Sequence, residues 1–299
     1  MPSEEDPQWG VSVTLTAAQS ASAGRLRAAL KAEGLDPPGV VTLLKYLRAR
    51  KDDVPAVVAM YKQALSLRKR WGVSDRELLF KRLPNERLLE TLWPHHFIGR
   101  DAEGRPVRYE QVGCLDAKDL VEGQGIPAEE VVRYYAKQQL LAQSLCAEAS
   151  RRGGRLVEKS VHVLDIQKTS LGTHLSSHAR DVFSKIAAIS NPVFPESLGK
   201  MVIINSSRVF PLFWSFVKPF IDPGTRERIE FFGPPPKKRE EGGWPARLTE
   251  LLGQAPPAWL WPNNWGTAPK GVSYAARPAW ELLGYDGPPE KAAEPAAVA

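Results

Sequence analysis

Residues Asn191–Gly233 read NPVFPESLGKMVIINSSRVFPLFWSFVKPFIDPGTRERIEFFG. Pro192 and Pro195 open the stretch, Glu196 and Lys200 flank a turn around Gly199, and Met201–Ile204 is a short apolar run. After a break comes Val209–Ile221, in which only Ser215 and Lys218 are hydrophilic. At helical spacing Phe210, Phe213, Trp214, Phe216 and Phe220 cover most of the circumference, which leaves such a helix no face for water. It is too short to cross a bilayer, which takes about 20 apolar residues. A helix of this kind must be buried in a core, cover a cavity or lie against lipid.

Upstream, Ser160–Ile166 (SVHVLDI) is a β-branched run between a basic, glycine-containing turn and a polar loop, the pattern of a mostly buried strand. Ala128–Arg151 and Leu175–Ile189 are helical runs, and Met201–Ile204 is the next buried strand. Strand, helical crossover, strand points to an α/β domain with a largely parallel sheet. In HHFIGRDAEGRPVRYEQVG the DAEGRP turn is followed by the alternating Val107 and Tyr109, a strand entered from a hairpin. From Ala23 to Gly72 the pattern is helical, through Leu26 and Leu30, then Val41, Leu44 and Leu47, then Val54, Val57, Val58, Tyr61 and Leu65. Breaks fall at Gly34–Pro38 and Asp52–Pro55, where Asp53 is placed to cap a helix with Pro55 in its first turn. Residues 1–23 read as a polar, partly disordered lead-in with a short apolar patch at Val11–Leu15. The Pro/Ala/Glu-rich end from Gly287 reads as disordered.

A length of 299 residues supports a sizeable core, and 43% hydrophobic with 25% charged residues is ordinary for a soluble globular protein. There is no run of 18 apolar residues and no basic, then apolar, leader, so neither secretion nor membrane spanning is expected. Cys114 and Cys146 form no CxxC pair, in keeping with a reducing cytosol. The net charge of +6 is uneven: residues 25–82 hold fourteen Lys/Arg against six Asp/Glu. That field suits an anionic membrane surface or simply a solvated helical face. Nucleic acid is not expected, because only the first quarter is basic and it lacks aromatics interleaved for base stacking. No G-x-S-x-G elbow, P-loop or H-E-x-x-H occurs, so no catalytic residues are assigned. His174 and His178 sit four apart with only Asp181 as a nearby acid, and no metal site is expected there. Trp244, Trp259, Trp261, Trp265 and Trp280 are expected to pack the carboxy-terminal segment onto the domain.

PESLGKMVIIN followed by FPLFWSFVKPFIDPGTRERI, together with TLLKYLRARKDDVPAVVAMYKQALSLRKRW and GRDAEGRPVRYEQVG, resembles the CRAL-TRIO lipid-binding family, including the yeast-type phosphatidylinositol/phosphatidylcholine transfer proteins. The resemblance implies an α/β fold: a small basic helical module at 24–84, then at 90–270 a lipid-binding domain with a mostly parallel sheet and flanking helices, and an extension at 271–299. It also implies a mobile gate helix over a hydrophobic pocket, with Phe210, Phe213, Trp214, Phe216, Val217 and Phe220 as gate and lining. Carried over position by position, the phosphoinositide head group falls to Arg50, Lys51, Glu196, Thr225 and Arg228, and a second head-group pocket to Ser160 and His162. Here Asp52 stands where the family has an aromatic, Ser197 where it has Arg, Arg228 where it has Lys and His162 where it has Thr. The implied function is binding and transfer of phospholipid, phosphatidylinositol favoured and phosphatidylcholine second, with presentation to lipid kinases and no other cofactor. The expected setting is a cytoplasmic monomer that visits anionic membranes transiently. The alternatives are a carrier of a tocopherol, retinoid or sterol-like molecule, and a lipid-regulated adaptor that never transfers its ligand.

Overall fold

A computed structural model describes residues 3–73, 75–207, 210–221, 223–234, 242–257, 260 and 282–283. The chain opens with a hairpin of β1 (Ser3–Asp6) and β2 (Val11–Thr14). Helices α1 (Ala17–Ala32), α2 (Val40–Ala49), α3 (Val54–Trp71), α4 (Asp75–Phe80) and α5 (Glu86–Leu92) follow. Next come β3 (His95–Arg100), β4 (Pro106–Glu110), α6 (Ala128–Gly153), β5 (Ser160–Asp165), α7 (Leu171–His174), α8 (Ser177–Val193) and β6 (Leu198–Ile204). The last elements are α9 (Phe210–Val217), a tight turn at Lys218–Phe220, α10 (Pro223–Arg226), β7 (Ile229–Phe231) and α11 (Gly243–Leu252).

The hairpin and the start of α1 correct the expected lead-in. Its polar composition concealed two long-range anchors, the fully buried Trp9 and Leu15. A third is Asp6, whose carboxylate accepts from the Val41 amide at 2.9 Å and from the Gln8 amide at 3.1 Å. Gly39 stands at the α2 N-cap without a side chain to offer, and a Cβ there would lie 2.5 Å from the Asp6 carboxylate. The hairpin thus supplies the cap that α2 lacks. The other caps are local. Thr16 and Gln19 exchange side-chain bonds at the start of α1, while Asp53 accepts from the Ala56 amide at 3.0 Å to begin α3. Gly72, at φ +61, closes α3 in the left-handed conformation.

The sheet runs β3–β4–β5–β6–β7, antiparallel at its first pair and parallel at the other three. In β5 every residue but Leu164 is buried, the mark of a strand covered on both faces. On one side, Val107, Tyr109, Val161, Val163 and Val202 pack against Trp244 and Leu248 of α11. On the other lie α6 and α8, whose Leu140 and Ile189 belong to the same continuous core as Leu26 and Val41. The amino-terminal helices therefore share a core with the α/β part.

Trp244 anchors α11 as expected of it: its indole donates to Asn205 at 3.1 Å, and Asn205 donates to Asp165 at 2.8 Å. Trp259, Trp261, Trp265 and Trp280 lie outside the described residues, as do 235–241 of the charged PPPKKREEGG stretch.

Asp6→Ala leaves buried amides at the α2 N-terminus unpaired and lowers the unfolding free energy by about 2 kcal/mol. Urea denaturation measures this, and a loss below about 0.5 kcal/mol would show that the hairpin does not hold α2.

Candidate functional site

Between the sheet and α8 lies a cavity of about 310 Å³. Its floor is His162 of β5 and Met201 of β6, which are register partners across the parallel pair. Tyr135 and Gln139 come from α6, and Phe183, Ile186 and Ala187 from α8. Val217, at the end of α9, and Ile221 complete the apolar wall.

The aromatic helix is not apolar to the exclusion of water, as its spacing suggested: Leu212 is 56% exposed. The reason is that α9 rests on the fold along one side. Phe213, 6% exposed, meets Phe183 and His174 edge-on at 6.2 and 6.3 Å between centroids. Phe210 stacks on Trp214, and both contact Phe231 at the sheet's edge strand. Of the gate residues named from sequence, Val217 lines the cavity while Phe210, Phe213 and Trp214 clamp the helix beside it. The Phe216 and Phe220 side chains lie outside the described residues.

Arg50, Glu196, Thr225 and Arg228 all line the cavity. Glu196, in the left-handed region at φ +49, accepts from Lys159 at 3.1 Å and from Arg228 at 3.3 Å. Burial alone would raise its carboxyl, but the Lys159 hydrogen bond and the neighbouring charges win and hold it below the usual carboxylate range. Arg228 also donates to the Leu198 carbonyl at 3.0 Å. The Arg50 guanidinium donates to the Ala49 carbonyl at 2.9 Å and has no carboxylate partner among the described residues. Lys51 is not with them. It is exposed on the turn between α2 and α3, where Lys51 and Asp52 are both left-handed (φ +51 and +62), and it does not line the cavity. Aspartate tolerates that conformation better than an aromatic does.

Ser160 and His162 are both buried, and only His162 reaches the cavity. Arg108, itself 1% exposed, donates to His162 Nδ1 at 3.3 Å. Guanidinium is a donor only, so Nδ1 must accept, which places the neutral ring's proton on Nε2, facing Ser160 Oγ at 3.0 Å. Burial, and then Arg108, push this imidazole well below its ordinary range, so it is neutral. Both ring nitrogens are engaged within the protein.

Sequence reasoning passed over Lys159, Tyr135, Gln139 and Arg108. Lys159 was findable, since it directly precedes a strand parallel to the one that Glu196 precedes. Arg108 carried a weaker signal, a cation in a strand expected to alternate.

Residues 93–239 match the CRAL/TRIO domain. A CRAL-TRIO domain-containing protein of Saccharomyces cerevisiae is 34% identical over 206 residues, covering 66% of this chain and 64% of that protein. A phosphatidylinositol/phosphatidylcholine transfer protein of Arabidopsis thaliana is 29% identical over 195 residues, 64% of this chain and 34% of that one. The chain thus spans between a third and two thirds of the length of these relatives. The crystal structure of Sfh5 superposes with a TM-score of 0.57 at 17% identity, covering 73% of this chain and 81% of that one, a likeness of fold.

A carboxylate held below its usual pKa contributes stability that is full above the unfolded value and lost as pH falls through the folded one. Glu196→Gln is therefore less stable than the parent at neutral pH, and the gap narrows on acidification. A gap constant with pH in denaturant titrations would show that Glu196 is not ion-paired.

Proposed function

The chain carries a CRAL/TRIO domain, and from that premise we propose that it binds a phospholipid, phosphatidylinositol by preference, and transfers it between membranes. The observation that carries this reading is the gathering of Arg50, Thr225, Arg228 and Glu196 on one apolar cavity. Two guanidinium groups suit a phosphodiester, which they can meet through forked, charge-assisted hydrogen bonds. The Glu196 carboxylate suits inositol hydroxyls, which donate to it. Such a site solves a definite energetic problem. At ~0.8 kcal/mol per methylene, roughly 30 methylenes give a barrier on the order of 20 kcal/mol to a bare lipid leaving its bilayer. An apolar cavity under a movable helix removes that barrier while keeping the tails from water.

The same reading makes the protein a cytoplasmic monomer with transient, peripheral contact to anionic membranes through its basic amino-terminal quarter, and it includes presentation of the lipid to a kinase. It needs neither a catalytic step nor nucleic acid. Among the described residues no helix is long and apolar enough to cross a membrane, and no three metal-ligating side chains gather. Phosphatidylcholine is the weaker candidate, because His162 has both nitrogens engaged inward.

A second reading draws on the cavity's size. A volume of about 310 Å³ is at the low end for a site that encloses a drug-sized molecule, roughly 300–1,000 Å³. It suits a small hydrophobe with α9 where it stands, whereas a two-chain lipid requires α9 to move outward.

Native mass spectrometry of the purified protein separates the two: phosphatidylinositol is the expected adduct, and a single-chain or polycyclic ligand would select the second reading. In vesicle assays Arg50→Ala with Arg228→Ala lowers phosphatidylinositol transfer at least tenfold, from the loss of about 1.5–3 kcal/mol per charged hydrogen bond. Lys51→Ala alone leaves the rate within about twofold. Undiminished transfer in the double variant would overturn this head-group site.

A further inference from the structure

The segment 194–197 is a wall common to two cavities. Phe194, Pro195 and Ser197 line the cavity described above and also a second one of about 220 Å³ against α2 and α3. The second cavity has a different character. Lys45 of α2 and Arg68 of α3 reach it, with Thr42, Gln143 and Ser197 as neutral polar neighbours, and no aspartate or glutamate lines it.

Lys45 is the unexplained member. It is 3% exposed on a helix otherwise packed by apolar residues. Its ammonium donates to Ser197 Oγ at 3.1 Å and, less well, to the Glu158 carbonyl at 3.4 Å, and it lies 5.6 Å from the centroid of the Trp9 ring. None of these partners is an anion, and among the described residues no carboxylate forms an ion pair with it. The nearby Glu158 carboxylate attracts it but is paired with Arg48 at 2.5 Å. Burial draws the Lys45 ammonium down to about 8, so it is still charged at neutral pH. A cation this deeply buried carries a desolvation penalty that the attraction of the Glu158 carboxylate only partly offsets, and here it faces a cavity. Ser197, standing where the resemblance has arginine, leaves that space open and supplies a hydroxyl in place of a second cation.

We propose that the second cavity is a binding site for a small oxyanion of the phosphate class, held between Lys45 and Arg68. An anion there meets two cations in a cavity that no aspartate or glutamate lines. Arg68 is already oriented by the Val193 carbonyl at 3.2 Å and lies 5.9 Å from the Phe194 ring centroid, so it is fixed at the common wall. The site is independent of the lipid reading, since neither cation lines the larger cavity.

Titration calorimetry of the full chain with inorganic phosphate and with glycerol 3-phosphate tests it, alongside flotation with phosphatidylcholine vesicles with and without phosphatidic acid. The expected result is saturable one-to-one binding that weakens at least tenfold in Lys45→Met and in Arg68→Gln. If it appears with the soluble anions, the source is a free phosphate ester. If it appears only with phosphatidic acid vesicles, the source is a lipid head group. Lys45→Met should melt no lower than the parent, because it removes a charge whose burial is only partly offset, and it should leave vesicle transfer of phosphatidylinositol within twofold. No saturable binding in any arm, or binding undiminished in both variants, overturns the proposal. So does a marked fall in the melting temperature of Lys45→Met, which would mean that the fold already offsets the burial of the ammonium in full.

Discussion

The ion-paired Glu196 carboxylate ties together three strand entrances. Lys159 directly precedes β5, Glu196 lies two residues before β6 and Arg228 directly precedes β7, so one carboxylate bridges the amino ends of three parallel neighbours. Its backbone stands in the left-handed region, which a glutamate does not adopt without support from its surroundings. The two cations supply that support, and the mouth of the larger cavity has its form because of them. In open α/β sheets, ligands usually sit beyond the carboxyl ends of the strands. Here those ends are engaged otherwise: Tyr109 donates to Asp165 at 2.6 Å, and Asn205 joins Asp165 to Trp244 and so to α11. The crossover that carries α9 and α10 must also return to the amino end of β7. It brings Thr225 and Arg228 to the same edge as Glu196, where all three line the cavity.

Behind the cavity floor, pairing answers part of the buried polarity. Arg108 bonds Glu110 at 3.1 Å with both side chains nearly inaccessible, and passes a second donor to His162. A neutral imidazole between a guanidinium and a serine hydroxyl has both ring nitrogens answered, while Arg108 Nε and Nη1 are buried without a hydrogen-bond partner among the described residues. The contrast with Lys45 is instructive. Arg108 has a carboxylate within hydrogen-bond reach, whereas Lys45 has a hydroxyl, a carbonyl and the pull of a Glu158 carboxylate that is itself paired with Arg48.

What was legible in the sequence was what depends on neighbours in the chain. Asp53, Pro55 and Gly72 delimit α3 by local capping chemistry, the DAEGRP turn opens β4, and β5 and β6 declare themselves by β-branched runs. The amino-terminal hairpin was not legible, because Asp6 acts on an amide 35 positions away and Trp9 is buried in a core built from helices later in the chain. Arg50 and Lys51 show the limit of reading a site by alignment to a motif. They are adjacent letters, but the chain leaves the helix between them, so Arg50 reaches the cavity and Lys51 meets solvent. Lys159 needed the parallel pairing of β5 with β6 before its partnership with Glu196 had any meaning.

On the carrier reading, α9 must leave its seat, and the contacts around Phe213 set the energy of that step. Returning one buried phenylalanine to water opposes opening by about 1.5–3 kcal/mol. The edge-on contacts with Phe183 and His174 add about 0.5–1.5 kcal/mol each. A gap of a few kcal/mol keeps the open form a minor population in water without making it inaccessible. At a bilayer the first contribution vanishes, since Phe213 would pass from one apolar medium to another, and only the ring contacts remain to be broken. Leu212, already 56% exposed, is then the residue that gains rather than loses by contact with lipid. On that reading, the difference between these two surroundings couples opening to membrane contact.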